Sequence, residues 1–216
     1  MEVKTPFKEL SFKQKLQYIY DYYKFHIIIT LVILGCSYSL IHHLVTYREP
    51  DLNIIMINSY FDNGDTRQTT EYFEDTLDQL IDNGRVALNT SINLNTSSME
   101  GDAMTALTSL DMLAAAGAED LYFVTEDTFE FLAQRNYFPD LSEIFTDEEL
   151  EELGDAIYTI TQEDGQHQVG IRISNDNAFL KTCNNYPHGD CVVGVSYNRN
   201  HIDVTKSFLL KLLSNN

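Results

Sequence analysis

Apolar residues fall along this chain in two different rhythms. Near the N-terminus they run together: from Ile27 to Val45, within "HIIITLVILGCSYSLIHHLV", 19 residues pass without an Asp, Glu, Lys or Arg. A helix needs about 20 such residues to cross the ~30 Å hydrocarbon layer of a bilayer. Residues 26–46 are therefore predicted to form one transmembrane helix. Upstream, "SFKQKLQYIYDYYKF" places Phe12, Leu16, Ile19, Tyr20 and Tyr23 at helical spacing, with lysines between them. Residues 1–25 read as a cytoplasmic segment whose amphipathic helix, capped by Ser11, lies on the inner leaflet. Extension of the transmembrane helix into the cytosol is the other reading.

From Pro50 onward, short apolar runs alternate with segments of helical period. "DLNIIMIN" (Asp51–Asn58) is a β-branched run of the kind that forms a buried strand. "TRQTTEYFEDTLDQLIDNG" gathers Tyr72, Phe73, Leu77, Leu80 and Ile81 on one helical side and stops at Gly84. "RVALNTSINLN" alternates as a strand, "SSMEGDAMTALTSLDMLAAAG" is an Ala-rich helix closed by Gly117, and "EDLYFVT" is a third strand. A helix, "EDTFEFLAQRN", follows at once, then a short acidic helix, "FTDEELEEL", ending at Gly154. "DAIYTITQEDGQHQVGIRIS" holds two strand-like runs around Asp164-Gly165, a strong hairpin signal. "VVGVSYN" is one more strand and "HIDVTKSFLLKLL" a closing amphipathic helix. Strand and helix in alternation predict an α/β domain over residues 50–216, with a mainly parallel sheet flanked by helices and a C-terminal hairpin element.

Charge assigns the two regimes to two sides of a membrane. Residues 1–26 carry five lysines against three acidic groups, whereas residues 49–216 carry eight basic groups against 30 acidic ones. Basic residues concentrate on the cytoplasmic side of a span. The N-terminus is thus expected inside and the acidic body outside the cell membrane. A body of this charge repels nucleic acid and anionic headgroups, so neither is an expected partner. The cell membrane itself is. "ILGC" around Cys36 loosely resembles a lipoprotein processing site, but Leu34 is bulky there and apolar residues continue beyond the cysteine.

Candidate chemistry is sparse. No nucleophile elbow, phosphate loop, dinucleotide fingerprint or His-Glu-x-x-His pattern occurs, so no enzyme activity, cofactor or metal is expected. Cys183 and Cys191 share the loop "CNNYPHGDC". On the oxidising side of a membrane they are expected to form a disulfide, with a pair of buried thiols as the alternative. "HGD" (His188–Asp190) and "HID" (His201–Asp203) read as solvated loops in preference to a metal cluster. "FDNGD" (Phe61–Asp65) reads as a turn in preference to a calcium loop.

Three stretches, in this order, resemble bacterial extracellular solute-binding proteins of the periplasmic-binding type. They are "DLYFVTEDTFEFLAQRNYFPDLSEIF", "DGQHQVGIRIS" and "VVGVSYNRNHIDVTKSFLLKLL". "YYKFHIIITLVILG" looks like the anchor of small single-pass membrane proteins of Gram-positive bacteria. The resemblance implies capture of a small solute or peptide at the cell surface, with an ABC transporter or other membrane protein as partner. It covers about half of the body and leaves no room for a second lobe between Ser174 and Cys191. A non-catalytic interaction or structural module that has lost its cleft is therefore the alternative. In open α/β sheets ligands sit beyond the carboxyl ends of strands. That rule selects Asn58, Ser59 and Tyr60 after the first strand, and Thr125, Glu126 and Asp127 after the third, as candidate ligand-binding residues.

Overall fold

The computed structural model of the protein describes residues 12–46, 48–98, 100–162, 165–187, 191–197 and 201–214. The chain divides into two units, residues 1–49 and 50–216. In the first, α1 (Phe12–Thr46) is one helix of 35 residues. It passes Phe25 and His26 without a break, as the continuation reading expects, and Ser11 lies outside the described residues. Its stretch Tyr23–His43, 21 residues with mean hydropathy 1.8, is long and apolar enough to cross a membrane. A signal sequence meets the same criterion of length and composition.

The second unit is built on a six-stranded sheet in the order β2-β1-β3-β6-β5-β4. Its strands are β1 (Leu52–Met56), β2 (Val86–Asn89), β3 (Leu121–Thr125), β4 (Ile157–Gln162), β5 (Gly165–Ile173) and β6 (Cys191–Val195). The helices are α2 (Arg67–Asp78), α3 (Asp102–Ala116), α4 (Glu126–Ala133), α5 (Asp147–Leu153), α6 (Ala178–Cys183) and α7 (Ile202–Ser214). β1 pairs parallel with both β2 and β3, as helical crossovers demand. The expectation of a mainly parallel sheet fails beyond β3. β6 pairs antiparallel with β3 and with β5, and β4 pairs antiparallel with β5. β4 and β5 are paired up to Gln162 opposite Gly165, and β6 then enters between β5 and β3. The sheet is mixed, with antiparallel pairs in the majority.

Alternation along the strands divides the core into two clusters, one on each face. Leu52, Ile54 and Met56 of β1 face α2, α6 and α7, where Phe73, Phe123, Phe179 and Phe208 are all fully buried. Ile55 and Ile57 face the other way, toward Leu110 of α3 and Phe129 and Leu132 of α4. Each such fully buried apolar side chain stabilises the fold by about 1.5–3 kcal/mol. On the second face the rings of Phe129 and Phe138 stack at 4.7 Å. They lie against Gly170 of β5 and Gly194 of β6, where a Cβ would run into the ring atoms. A bulge leaves Val169 of β5 without a partner in β4, which is how Val169 and Ile171, two apart, reach different clusters.

Local signals account for several helix ends. Gly117 takes the left-handed conformation (φ 62°) that closes α3. Thr146 and Glu149 form a reciprocal capping box on α5. α6, which the periodicity does not announce, starts at Asn177, whose side chain accepts from Phe179 N, and ends at left-handed Asn184. Within α2, Leu77 packs so closely on Gly84 that a side chain there would overlap it.

Candidate functional site

The crossover from β1 runs to β2 on one side, and the next returns to β3 on the other. The strand order therefore reverses between β1 and β3, and the crevice outside their carboxyl ends is where open α/β sheets hold ligands. All six predicted residues gather there, because the two strands are neighbours.

Most of them are engaged in holding the chain itself. Asn58, in the left-handed region (φ 56°), donates from Nδ2 to Leu94 O at 2.8 Å and to Thr128 Oγ1 at 2.9 Å. Its Oδ1 accepts from Leu94 N at 2.7 Å. The side chain thus latches the segment that follows β2 to the end of β1, and little hydrogen-bonding capacity remains for a ligand. Ser59 Oγ donates to Met56 O at 3.2 Å, and Thr125 Oγ1 to Thr128 Oγ1 at 3.0 Å, where α4 begins. Glu126 is drawn away to Arg172 of β5, at 2.7 Å. Burial of the nearby Tyr158 ring, with Glu126 beside it, raises that phenol to about 12. Asp127 is exposed in the first turn of α4.

The crevice itself is filled. Tyr186 is buried, its hydroxyl 2.7 Å from Phe123 O and 3.3 Å from Ile57 O, so it caps the ends of β3 and β1 together. Burial drives its pKa well above the ordinary phenol value, and the group is a neutral donor. Next to it, Asn185 clamps Tyr60: Tyr60 N donates to Asn185 O at 2.8 Å and Asn185 Nδ2 donates to Tyr60 O at 3.1 Å. Asn185 Oδ1 accepts from Thr69 Oγ1 of α2 at 3.0 Å, in the interior.

Beside this clamp the molecule opens. A pocket of about 360 Å³ lies between the turn after β1, the start of α2 and the end of α6. Tyr60, Phe61, Asp62, Asn63, Gln68 and Asn184 are among its lining residues. The turn reading of Phe61–Asp65 agrees with the short 3-10 turn at Asp62–Gly64. Asp65 at its edge takes a forked ion pair from Arg67, down to 2.6 Å. Chiefly through that hydrogen bond, its pKa falls to about 2. Of the six predicted residues, only Tyr60 lines this pocket. The amide side chains were missed, although "NN" directly after a helix is a recognisable C-terminal stop.

Two other expectations resolve here. Cys183, at the end of α6, and Cys191, the buried first residue of β6, are not joined; the structure keeps both as thiols. Cys183 is turned toward the Thr69 hydroxyl, and burial raises its pKa, while Cys191 is packed into the core beside Val193 and Ile173. His188–Asp190 lies outside the described residues. His201 instead meets Asp120, whose buried carboxylate is 3.1 Å from His201 Nδ1 and accepts from Asn53 N at 2.9 Å. Among the described residues no group of three potential metal ligands occurs. Compared with models of known protein families, with curated proteins and with solved structures, the chain matches none.

Proposed function

We propose that the chain is a single-pass membrane protein whose body stands outside the cell and binds a small polar solute without catalysing its conversion. The observation that carries this reading is the pocket beside Tyr60. It joins an aromatic ring to a ring of amides and carboxylates at the end of the first strand. Amides and carboxylates accept from hydroxyl and ammonium groups, and the negative field of the body opposes anions. The ligand class is therefore neutral or cationic and rich in hydroxyls or amines, as sugars, amino sugars and polyamines are. The likeness to solute-binding proteins rests on the quoted stretches alone, and an ABC transporter or other membrane protein as recipient belongs to the same proposal.

The test is thermal unfolding of the full chain in detergent micelles with each solute class in turn. The expected result is a rise in Tm with one class, lost in Tyr60→Ala. No rise with any class, or a rise that Tyr60→Ala leaves intact, overturns the solute reading. Orientation has its own test. Protease added to intact cells should digest the acidic body, and protection of the body places it inside.

A second reading, a module that contacts other proteins, is favoured by one specific observation. Tyr186 occupies the switch-point crevice where a larger ligand would otherwise enter.

A further inference from the structure

α3 is more apolar than its burial accounts for. Of its 15 residues, only Ala103 and Leu110 are buried. Met104 is 51% and Met112 69% exposed. Between α3 and the end of β2, continuing through Asn93, runs an open groove of about 760 Å³. Ile92, Ala106, Leu113 and Met112 give it an apolar surface, and Asn89 and Asp102 a polar margin. β2 is the terminal strand of the sheet, and Ala87, facing the α3 side, is exposed. On this face the helical layer stops one helix short of the sheet's edge.

Charge indicates what completes it. From Val86 to Gln134 the exposed charged residues are Glu100, Asp102, Asp111, Asp127 and Glu130, with no Lys or Arg among them, and Asp102 lies in the groove itself. A second copy, bearing the same acidic surface, would be repelled. A basic partner would be attracted and steered. The geometry of the site, α3 on one wall and the end of β2 with the segment that follows it on the other, leaves room for a helix packed beside α3 at the usual 8–10 Å separation. Methionine side chains are flexible and polarisable, and surfaces that receive amphipathic helices use them.

We propose that the α3–β2 groove docks an amphipathic helix of another protein. Its apolar side chains, at i, i+3/i+4 and i+7, cover Met112, Leu113 and Ala106, and Lys or Arg line its polar face. This is independent of the solute pocket, which lies against α2 and α6.

The test uses the full chain in nanodiscs of zwitterionic lipid and a synthetic 14-residue Leu/Lys helix carrying one photo-leucine. A scrambled peptide of the same composition and a Leu/Glu helix serve for comparison, with empty nanodiscs as the blank. Expected are crosslinks to α3 and to residues 91–93, at least tenfold weaker binding by the Leu/Glu and scrambled peptides, and at least tenfold weaker binding after Met112→Asp. Met112 is exposed, so the variant should fold, which an unchanged melting curve checks. Equal binding of helix and scramble, or crosslinks confined to other surfaces, overturns the proposal.

Discussion

α2 and α3 are consecutive helices of similar length on opposite faces of one sheet, and the sheet treats them differently. α2 buries Thr69, Phe73, Thr76 and Leu77 beneath α6 and α7. α3, three residues longer, buries Ala103 and Leu110 alone. Intrinsic helix preference does not explain the contrast, since the Ala- and Leu-rich α3 is the better helix former. Neighbours do. α2 shares its face with two later helices that the chain brings back over the sheet. α3 shares its face with α4 alone, and that helix packs toward β3 and β6. An apolar helix whose layer is unfinished is a surface built to be covered, and a helix whose layer is complete is a foundation.

The largest effect should come from the foundation. Phe73 is surrounded by the rings of Phe179, Phe123 and Phe208, at 4.9, 5.3 and 5.7 Å. Phe73→Ala should cost about 3–5 kcal/mol of unfolding free energy, read from a denaturant curve. A cost under about 1 kcal/mol, the range of an ordinary surface change, would remove the contrast between the helices. The α4 end of the other face is also tightly closed. Gly194→Ala would press a methyl into the Phe138 ring, and overpacking of that kind costs about 1–3 kcal/mol. If Gly194→Ala is neutral, the whole second face is loose and the openness at β2 is nothing special.

Much of this layout is legible in the sequence, and the limits have physical reasons. β1 through α4 follow from period-2 and period-3.6 runs because those signals are local, and Gly117 closes α3 as expected; α2, however, ends at Asp78, six residues before Gly84, and β2 stops at Asn89. The direction of β6 is not local. "CVVGV" is equally apolar along its length, and only pairing with β3 and β5 decides which way it runs. α6 is six residues long, too short to display a helical period. The candidate site divides in the same way. Alternation of strand and helix points to the carboxyl ends of β1 and β3 and to six residues there, while the strand order that makes these two ends neighbours is set by long-range pairing. The plug that fills it, Tyr186, is 63 residues from Phe123 and 129 from Ile57, and no spacing rule reaches that far.

A smaller effect, opposite in sign, is expected where α3 leads back to the sheet. Glu119 is buried, and burial raises its pKa above the ordinary 4.5; an Asn89 amide at 2.9 Å opposes the rise and Asp120 adds to it. A raised value means the folded state holds the proton more tightly than the unfolded one. The associated stability is fully present below pH 4.5 and is lost as pH rises through the folded value. Glu119→Gln, which keeps an acceptor for Asn89, should therefore raise Tm at neutral pH and lose that advantage in acid. A variant no more stable than the parent at neutral pH would show that the Asn89 bond outweighs burial.

The smallest effect is the most informative about α3. Met112 is exposed and packs against no closed layer, so Met112→Ala should change the stability of the isolated chain by no more than about 0.5 kcal/mol. The same truncation removes apolar surface from the groove, so it should weaken a docked helix while leaving the fold intact. A residue that stabilises its own fold and one that serves a partner are separated by that pair of measurements. Should Met112→Ala lower stability by as much as a core substitution, the side chain belongs to the foundation after all. α3 would then be a helix like α2, differing only in how much of it meets water.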